Sequence, residues 1–199
     1  MSIDNMAKTV KELKTKGLTT REIAQEIHLS RNTVEWLLAK QASENFDRQM
    51  PADVKVGWRT IGVSGSRIHA IAEIMSDVVL EEQEKQDVDF NMVTGLTNNG
   101  VPLAVIVSNL LGVDFGMIRP SREDTETNYA SNYAGLENKN IVIIDDVIST
   151  GSTTTEAVEY IRSKNGRPAL IVVLINKKAD DELSGVALRS LIRARPVRD

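Results

Sequence analysis

The chain has no cysteine among its 199 residues. That excludes disulfides, thiolate metal sites and a thiol nucleophile. Histidine is scarce. His28 and His69 are too few for a histidine-based zinc site, and each reads as a helix-surface or turn residue rather than a catalytic base. No run of about 18 apolar residues occurs, which excludes a membrane-spanning helix. The N-terminus lacks a basic-then-apolar signal pattern, so the expected location is cytoplasmic. There is no internal repeat and no low-complexity tract. What is present is ordinary for a globular chain, 41% hydrophobic and 26% charged. The length predicts one domain, or one domain plus a small module.

The net charge of −4 is unevenly spread. Residues 1–50 hold eight Lys/Arg against seven Asp/Glu, and the stretch from Met6 to Lys40 holds seven against four. The remainder is acidic. Such a body binds DNA only through a locally basic face.

The most informative stretch is Ile141–Val158, I-V-I-I-D-D-V-I-S-T-G-S-T-T-T-E-A-V. Ile141 to Ile144 read as a buried strand, β-branched throughout and too short for an independent helix. Asp145 and Asp146 follow at the strand's end. The segment Ser149, Thr150, Gly151, Ser152, Thr153 then leads into a helix with Ala157, Val158 and Ile161 on one face. Backbone N–H groups, hydroxyls and a helix N-terminus around one point bind a phosphate. The two acids are spaced to hold vicinal hydroxyls or a hydrated divalent cation beside it, so a sugar phosphate meets both demands. The plainer alternative is a strand–loop–helix capped by hydroxyl residues, which has no need of two adjacent acids at a strand's carboxyl end.

This pattern resembles the signature of type I phosphoribosyltransferases. In that family the acids contact the ribose hydroxyls of phosphoribosyl pyrophosphate and the loop binds its 5′-phosphate. The resemblance implies an α/β fold from residue 54 onward, a mostly parallel sheet flanked by helices. Mg²⁺ would be carried by the diphosphate of the ligand, with no direct protein metal site.

The first 45 residues read as an all-α helix-turn-helix module. Met6, Val10 and Leu13 have helical spacing and Gly17 ends that helix. Thr19 or Thr20 caps a second helix, with Glu22 near the capping-box position. His28-Leu29 is the turn, with His28 where a glycine is common. Ser30 caps a third helix that would present Ser30, Arg31, Asn32, Thr33 and Glu35 outward. Arg and Asn suit bidentate reading of guanine and adenine edges. The stretch T-T-R-E-I-A-Q-E-I-H-L-S-R-N-T-V resembles prokaryotic DNA-binding modules, which implies DNA contacts from Thr20, Arg21, Ser30, Arg31, Asn32 and Thr33. A small helical cap used for dimerisation is the alternative.

Residues 46–53 read as a linker, and 54–199 as the second domain. Trp36 and Trp58 read as core or domain-contact residues. A helix starts near Ser66. A short strand, Asp89–Thr94, precedes Gly95-Leu96-Thr97-Asn98-Asn99-Gly100-Val101-Pro102 and a helix from Leu103 to Leu111. This segment resembles the diphosphate loop of the orotate branch of the family, which implies roles for Leu96, Thr97, Asn98, Asn99 and Gly100. A strand over 113–118, bent at Gly116, leads into a polar, unpatterned stretch, 119–135. It corresponds to the family's mobile loop, with Arg119 and Arg122 as its cations. Ala169–Asn176 is a further buried strand, and V-A-L-R-S-L-I an edge strand.

The resemblance to orotate phosphoribosyltransferases weakens in the catalytic parts. The enzymes carry a cation just before the second glycine of the diphosphate loop, where this chain has Asn99. Pro120 stands where a lysine is expected in the mobile loop, and no histidine follows. Each lost donor to developing charge costs about 10²–10³ in rate. A retained ligand site, weakened chemistry and an added DNA-binding module resemble archaeal regulators first labelled orotate phosphoribosyltransferase-like. The implied function is a dimeric transcription regulator that senses phosphoribosyl pyrophosphate or a related ribose phosphate. The alternative is a working orotate phosphoribosyltransferase, making orotidine 5′-phosphate and pyrophosphate, with an accessory N-terminal domain.

Overall fold

A computed structural model describes residues 3–42, 48–96, 98–119, 128–129 and 132–196. They fall into two compact units. One comprises the chain up to Gly57 with the residues from Ala194, and the other is Trp58–Arg193.

The smaller unit contains α1 (Ile3–Thr15), α2 (Thr20–Glu26) and α3 (Arg31–Ala42). Val10, Ile23, Val34 and Leu37 are fully buried at its centre. Gly17, at φ +87, ends α1, and its N–H donates to the Lys14 carbonyl while the Leu18 N–H reaches Leu13. Thr19 and Glu22 form a reciprocal capping box on α2. His28 takes the left-handed turn position, φ +54, and the Leu29 N–H donates back to the Ala24 carbonyl.

The larger unit begins with a short helix α4 (Arg59–Gly62) and the long α5 (Gly65–Gln86). Its sheet contains β1 (Met92–Leu96), β2 (Asp114–Arg119), β3 (Asn128–Tyr129), β4 (Asn140–Ile148), β5 (Arg167–Asn176), β6 (Glu182–Leu183) and β7 (Val186–Arg193). Helix α6 (Gly100–Leu111) follows β1, and α7 (Ser152–Ser163) follows β4. The strand order is β3-β2-β1-β4-β5-β7-β6. The pairs β1–β2, β1–β4, β4–β5 and β5–β7 are parallel, and only the short β3 and β6 are antiparallel to their neighbours. This is the mostly parallel sheet flanked by helices that the sequence predicts.

Ile141 to Ile144 are fully buried because the sheet is covered on both faces. Ile141 and Ile143 pack with Ala157, Val158 and Ile161 of α7. Side chains alternate along a strand, and α6 packs on β1 and β4. Helix α5 is fastened by buried Glu82, whose Oε1 accepts from Arg189 Nε of β7 at 2.9 Å.

Several boundaries differ from the sequence reading. Strand β4 does not stop at Ile144 but runs through both acids, because pairing with β5 continues to Ile148 opposite Asn176. Strand β1 starts at Met92 rather than Asp89 and includes Gly95 and Leu96, which pair with Met117 and Ile118. Helix α6 starts at Gly100, three residues early, with Pro102 in the first turn where its missing N–H costs nothing. Strand β2 is continuous through Gly116, which pairs with Thr94. Within 119–135, Arg119 closes β2, and Asn128-Tyr129 pair with Ile118-Arg119. Arg122 and Thr97 lie outside the described residues. The start of β7 is not an edge, since β6 pairs with Val186 and Ala187.

Candidate functional site

Parallel strands β1 and β4 end side by side, and the segments after them form the site. Asp145 and Asp146 are the sixth and seventh of the nine residues of β4. Asp146 is buried, 5% exposed. Its Oδ2 accepts from Asn99 Nδ2 at 3.0 Å and from Trp58 Nε1 at 2.7 Å. Asp145 Oδ1 accepts from the Asp146 N–H at 2.9 Å. Burial of the Asp145 carboxyl, and then the Asp146 charge beside it, push its pKa well above the ordinary carboxylate value, against the pull of that backbone N–H.

Glycine lets α6 approach this pair. A Cβ on Gly100 would overlap the Ile144 carbonyl oxygen and come within 3.0 Å of Asp145 Cα. A Cβ on Gly95 would meet Val101 Cα at 2.7 Å. Both contacts are with backbone, so no larger residue fits without moving α6. The diphosphate segment predicted over 96–100 is therefore divided. Leu96 is the fully buried end of β1, Asn98 and Asn99 form the turn, and Gly100 opens the helix.

The phosphate segment lies after β4. Ser149 and Thr150 precede Gly151, which caps α7 at φ +84, and Ser152 and Thr153 form the first helical turn. The Thr150 and Ser152 hydroxyls face each other at 3.2 Å, both exposed. The Ser152 N–H points at Thr150 Oγ1 at 3.4 Å. The first amides of a twelve-residue helix, with three hydroxyls around them, suit an anion.

Sequence reasoning missed two contributors. Trp58 was read as a core or domain-contact residue, yet its indole N–H serves Asp146, 88 residues away. Lys178 follows β5, and its Cδ comes within 3.4 Å of a Cβ built on Gly151. Its Nζ stands 3.5 Å from Asp180 Oδ2. A lysine just past a strand's carboxyl end was the available signal.

In the smaller unit, the start of α3 is arranged differently from the sequence reading. Ser30 Oγ accepts from the Thr33 N–H at 3.2 Å and lies 2.8 Å from Thr33 Oγ1. Asp53 Oδ2 accepts from the Ser30 N–H at 2.6 Å and from Thr33 Oγ1 at 2.9 Å. Thr33 is fully buried, so it is not presented outward, because Asp53 draws it inward. Arg31 and Asn32 are exposed, with Arg31 Nε donating to Glu35 Oε1 at 2.9 Å. Thr20 and Arg21 open α2 and are partly buried.

No helix among the described residues is long and apolar enough to cross a membrane. Residues 57–187 match the family model of the phosphoribosyl transferase domain. Among solved structures, the fold is similar to adenine phosphoribosyltransferase from Thermoanaerobacter pseudethanolicus. The TM-score is 0.59 at 18% identity, covering 88% of this chain and all of that one. It is also similar to orotate phosphoribosyltransferase from Aeropyrum pernix, with TM-score 0.56 at 22% identity, covering 73% and 81% of the two chains. Curated relatives match over nearly the whole length. The transcriptional regulator GfcR of Thermoplasma acidophilum is 43% identical, with 98% of each chain covered. That of Picrophilus torridus is 40% identical over 96% of this chain and 97% of its own. With the smaller unit included in both alignments, the chain belongs to the family of the GfcR transcriptional regulators, and its larger unit is their phosphoribosyl transferase domain.

Proposed function

We propose that this protein is a DNA-binding transcription regulator whose larger unit senses phosphoribosyl pyrophosphate or a related ribose phosphate. The observation that carries the reading is Asp146. Its carboxylate is held by the amide of Asn99, the residue at the place where the similar enzymes carry a cation. The ribose site keeps its acids while the diphosphate turn offers a neutral donor already engaged with them. An amide can still donate to a diphosphate, but it adds no positive charge to offset the diphosphate's negative charge, as a cation would. That supports binding of the ligand more than cleavage of it.

In this reading Asp145 and Asp146 accept from the ribose hydroxyls, and the amides and hydroxyls of 149–153 take the 5′-phosphate. The diphosphate lies against Asn98, Asn99 and Gly100. Mg²⁺ arrives with the ligand, coordinated by diphosphate oxygens and water. Its chemistry is to neutralise the diphosphate. Asp145 and Asp146, in β4, have the chemistry for that role, since carboxylates can accept from water ligands of the ion.

The smaller unit places Arg31 and Asn32 at the exposed start of α3, suited to base edges in a major groove. One short helix makes a small contact, so useful affinity calls for a symmetric dimer reading half-sites about 10 base pairs apart, or a multiple. The protein would act in the cytoplasm.

The test is a titration of the duplex that the protein selects from a random pool, with and without phosphoribosyl pyrophosphate and Mg²⁺. A change in DNA affinity is expected. Identical affinities, together with pyrophosphate release on adding orotate, would move the assignment to an orotate phosphoribosyltransferase.

A further inference from the structure

The chain between the units is pinned near each of its ends, and each pin lies inside its own unit. Asp53 holds the start of the recognition helix through the Ser30 N–H and Thr33 Oγ1, at 2.6 and 2.9 Å. Its Oδ1 also accepts from the Val54 N–H at 2.8 Å, which fixes the direction in which the chain leaves. Five residues later, Trp58 Nε1 donates to Asp146 Oδ2 at 2.7 Å. Both acceptors are carboxylates, so these are charge-assisted hydrogen bonds. The Trp58 ring is seated as well. A Cβ on Gly62 would approach its Cζ3 to 2.9 Å, so the absence of a side chain there makes room for the indole.

Asp146 is buried, and Trp58 and Asn99 both donate to the same oxygen, Oδ2. A carboxylate oxygen has few lone-pair directions, and a ribose hydroxyl arriving there competes with the donors already present. We infer that ligand binding at Asp146 displaces the Trp58 indole, and that this release travels along residues 54–57 to Asp53 and resets the start of the recognition helix. Trp58 and Asp53 are positioning residues. The inference rests on the ribose-phosphate reading of the site and adds the route of regulation.

Displacement has a thermodynamic consequence. The ligand shifts the DNA-binding equilibrium only through its different affinity for the pinned and released arrangements. Removing the pin genetically must then imitate the ligand. Trp58→Phe keeps a ring against Gly62 and loses the N–H.

The experiment measures DNA affinity for the selected duplex, with and without phosphoribosyl pyrophosphate and Mg²⁺, in the full-length protein and two variants. Wild type should respond by roughly 5–150-fold. Ligand-free Trp58→Phe should already bind DNA as ligand-saturated wild type does, its response should fall below about twofold, and its ligand affinity should rise because no indole has to be displaced. Asp53→Ala should also lose the response, because the break lies beyond Trp58. A readout that needs no Trp58 variant is the ¹⁵N indole spectrum, where the signals of Trp36 and Trp58 are told apart with Trp36→Phe. The Trp58 signal should move on ligand addition in wild type and in Asp53→Ala, and stay still in Asp146→Asn. If ligand binds by calorimetry while the Trp58 signal stays still in wild type, or if either pin variant keeps the wild-type response, the inference is overturned and the sensor reading stands. If wild-type DNA affinity ignores the ligand altogether, the reading falls and the inference with it.

Discussion

Two helix starts in this molecule use the same side chains to opposite ends. Helix α3 opens with Ser30 and Thr33, and α7 opens with Thr150, Ser152 and Thr153. At α3 the Thr33 hydroxyl and the Ser30 amide converge on the protein's own carboxylate, Asp53. At α7 the Thr150 and Ser152 hydroxyls meet each other, exposed, Thr150 Oγ1 also accepts from the Ser152 N–H at 3.4 Å, and among the described residues no carboxylate contacts these two hydroxyls. A helix start wants an anion. In the first the chain supplies it and the helix becomes a rigid platform for Arg31 and Asn32. In the second no carboxylate meets Thr150 or Ser152 among the described residues, which the proposed function reads as room for a phosphate. Both starts carry Ser and Thr, and the difference between them is whether a carboxylate of the chain reaches those groups.

The comparison is tested most severely at α7. Asp146→Asn with Thr150→Ala removes a charged acceptor and a hydroxyl from the proposed ribose-phosphate site. We expect phosphoribosyl pyrophosphate affinity to drop by about 3–6 kcal/mol, the sum of two hydrogen bonds that each involve a charged group. Calorimetry on the folded double variant measures it, and unchanged affinity removes the assignment.

Next in size are two single changes. Arg31→Ala should lose discrimination at one position of each half-site, by about 1–3 kcal/mol per bidentate contact. Competition with single-base variants of the selected duplex reads this, and a uniform loss across all sequences would make Arg31 a phosphate contact. Gly100→Ala should destabilise the larger unit by about 1–3 kcal/mol through overpacking against Ile144 and Asp145, lowering Tm by a few degrees. Gly135→Ala, where a Cβ meets nothing within 4 Å, is the control and should stay within about 0.5 kcal/mol.

Smaller, and most specific to the contrast, is a matched pair. Ser30→Ala removes a working cap and should cost about 1 kcal/mol of stability in the smaller unit. Thr150→Ala removes an exposed hydroxyl that meets the Ser152 hydroxyl and, at 3.4 Å, the Ser152 N–H, and should cost less than about 0.5 kcal/mol while still weakening the ligand. Denaturation and calorimetry on both variants separate the roles. Equal stability losses would mean that α7 is capped from within like α3.

What was legible in the sequence follows the range of the interactions. Gly17, the Thr19/Glu22 box and the β-branched run Ile141–Ile144 announce themselves because their partners are near in sequence or their burial is uniform. The parallel sheet was legible through the resemblance of Ile141–Val158 to the phosphoribosyltransferase signature. Strand ends were not, because two acids look like a stop, and only the partner strand β5 shows that pairing continues to Ile148. Thr33 was expected outward because its helix position is exposed in isolation, and Asp53, 20 residues away, reverses that. Trp58 escaped for the same reason across 88 residues. The residue types of the site could be read, but the hydrogen bonds that show which groups already have partners could not.

The last test moves a single proton. Burial, and then the neighbouring Asp146 charge, raise the Asp145 pKa in the folded protein above its unfolded value. Between those two values the folded state binds more protons than the unfolded state. Stability of the ligand-free protein must therefore fall as pH rises through the window, and the penalty is fully present above the folded pKa. The ligand acts in the opposite sense. Ribose hydroxyls donate more strongly to an ionised carboxylate than to a protonated one, so binding favours release of the proton and affinity rises with pH across the same window. Asp145→Asn should flatten both trends, raise ligand-free stability at neutral pH and weaken the ligand. Thermal melts and calorimetry at several pH values measure both. If the wild type grows more stable through that window, or Asp145→Asn leaves the pH dependence of ligand binding intact, then Asp145 does not titrate there and some other group carries the proton. The expected result would make Asp145 a carboxylate held at a cost to stability, which is the mark of a place kept ready for a ligand and the reverse of Asp53, whose charge is spent on its own fold.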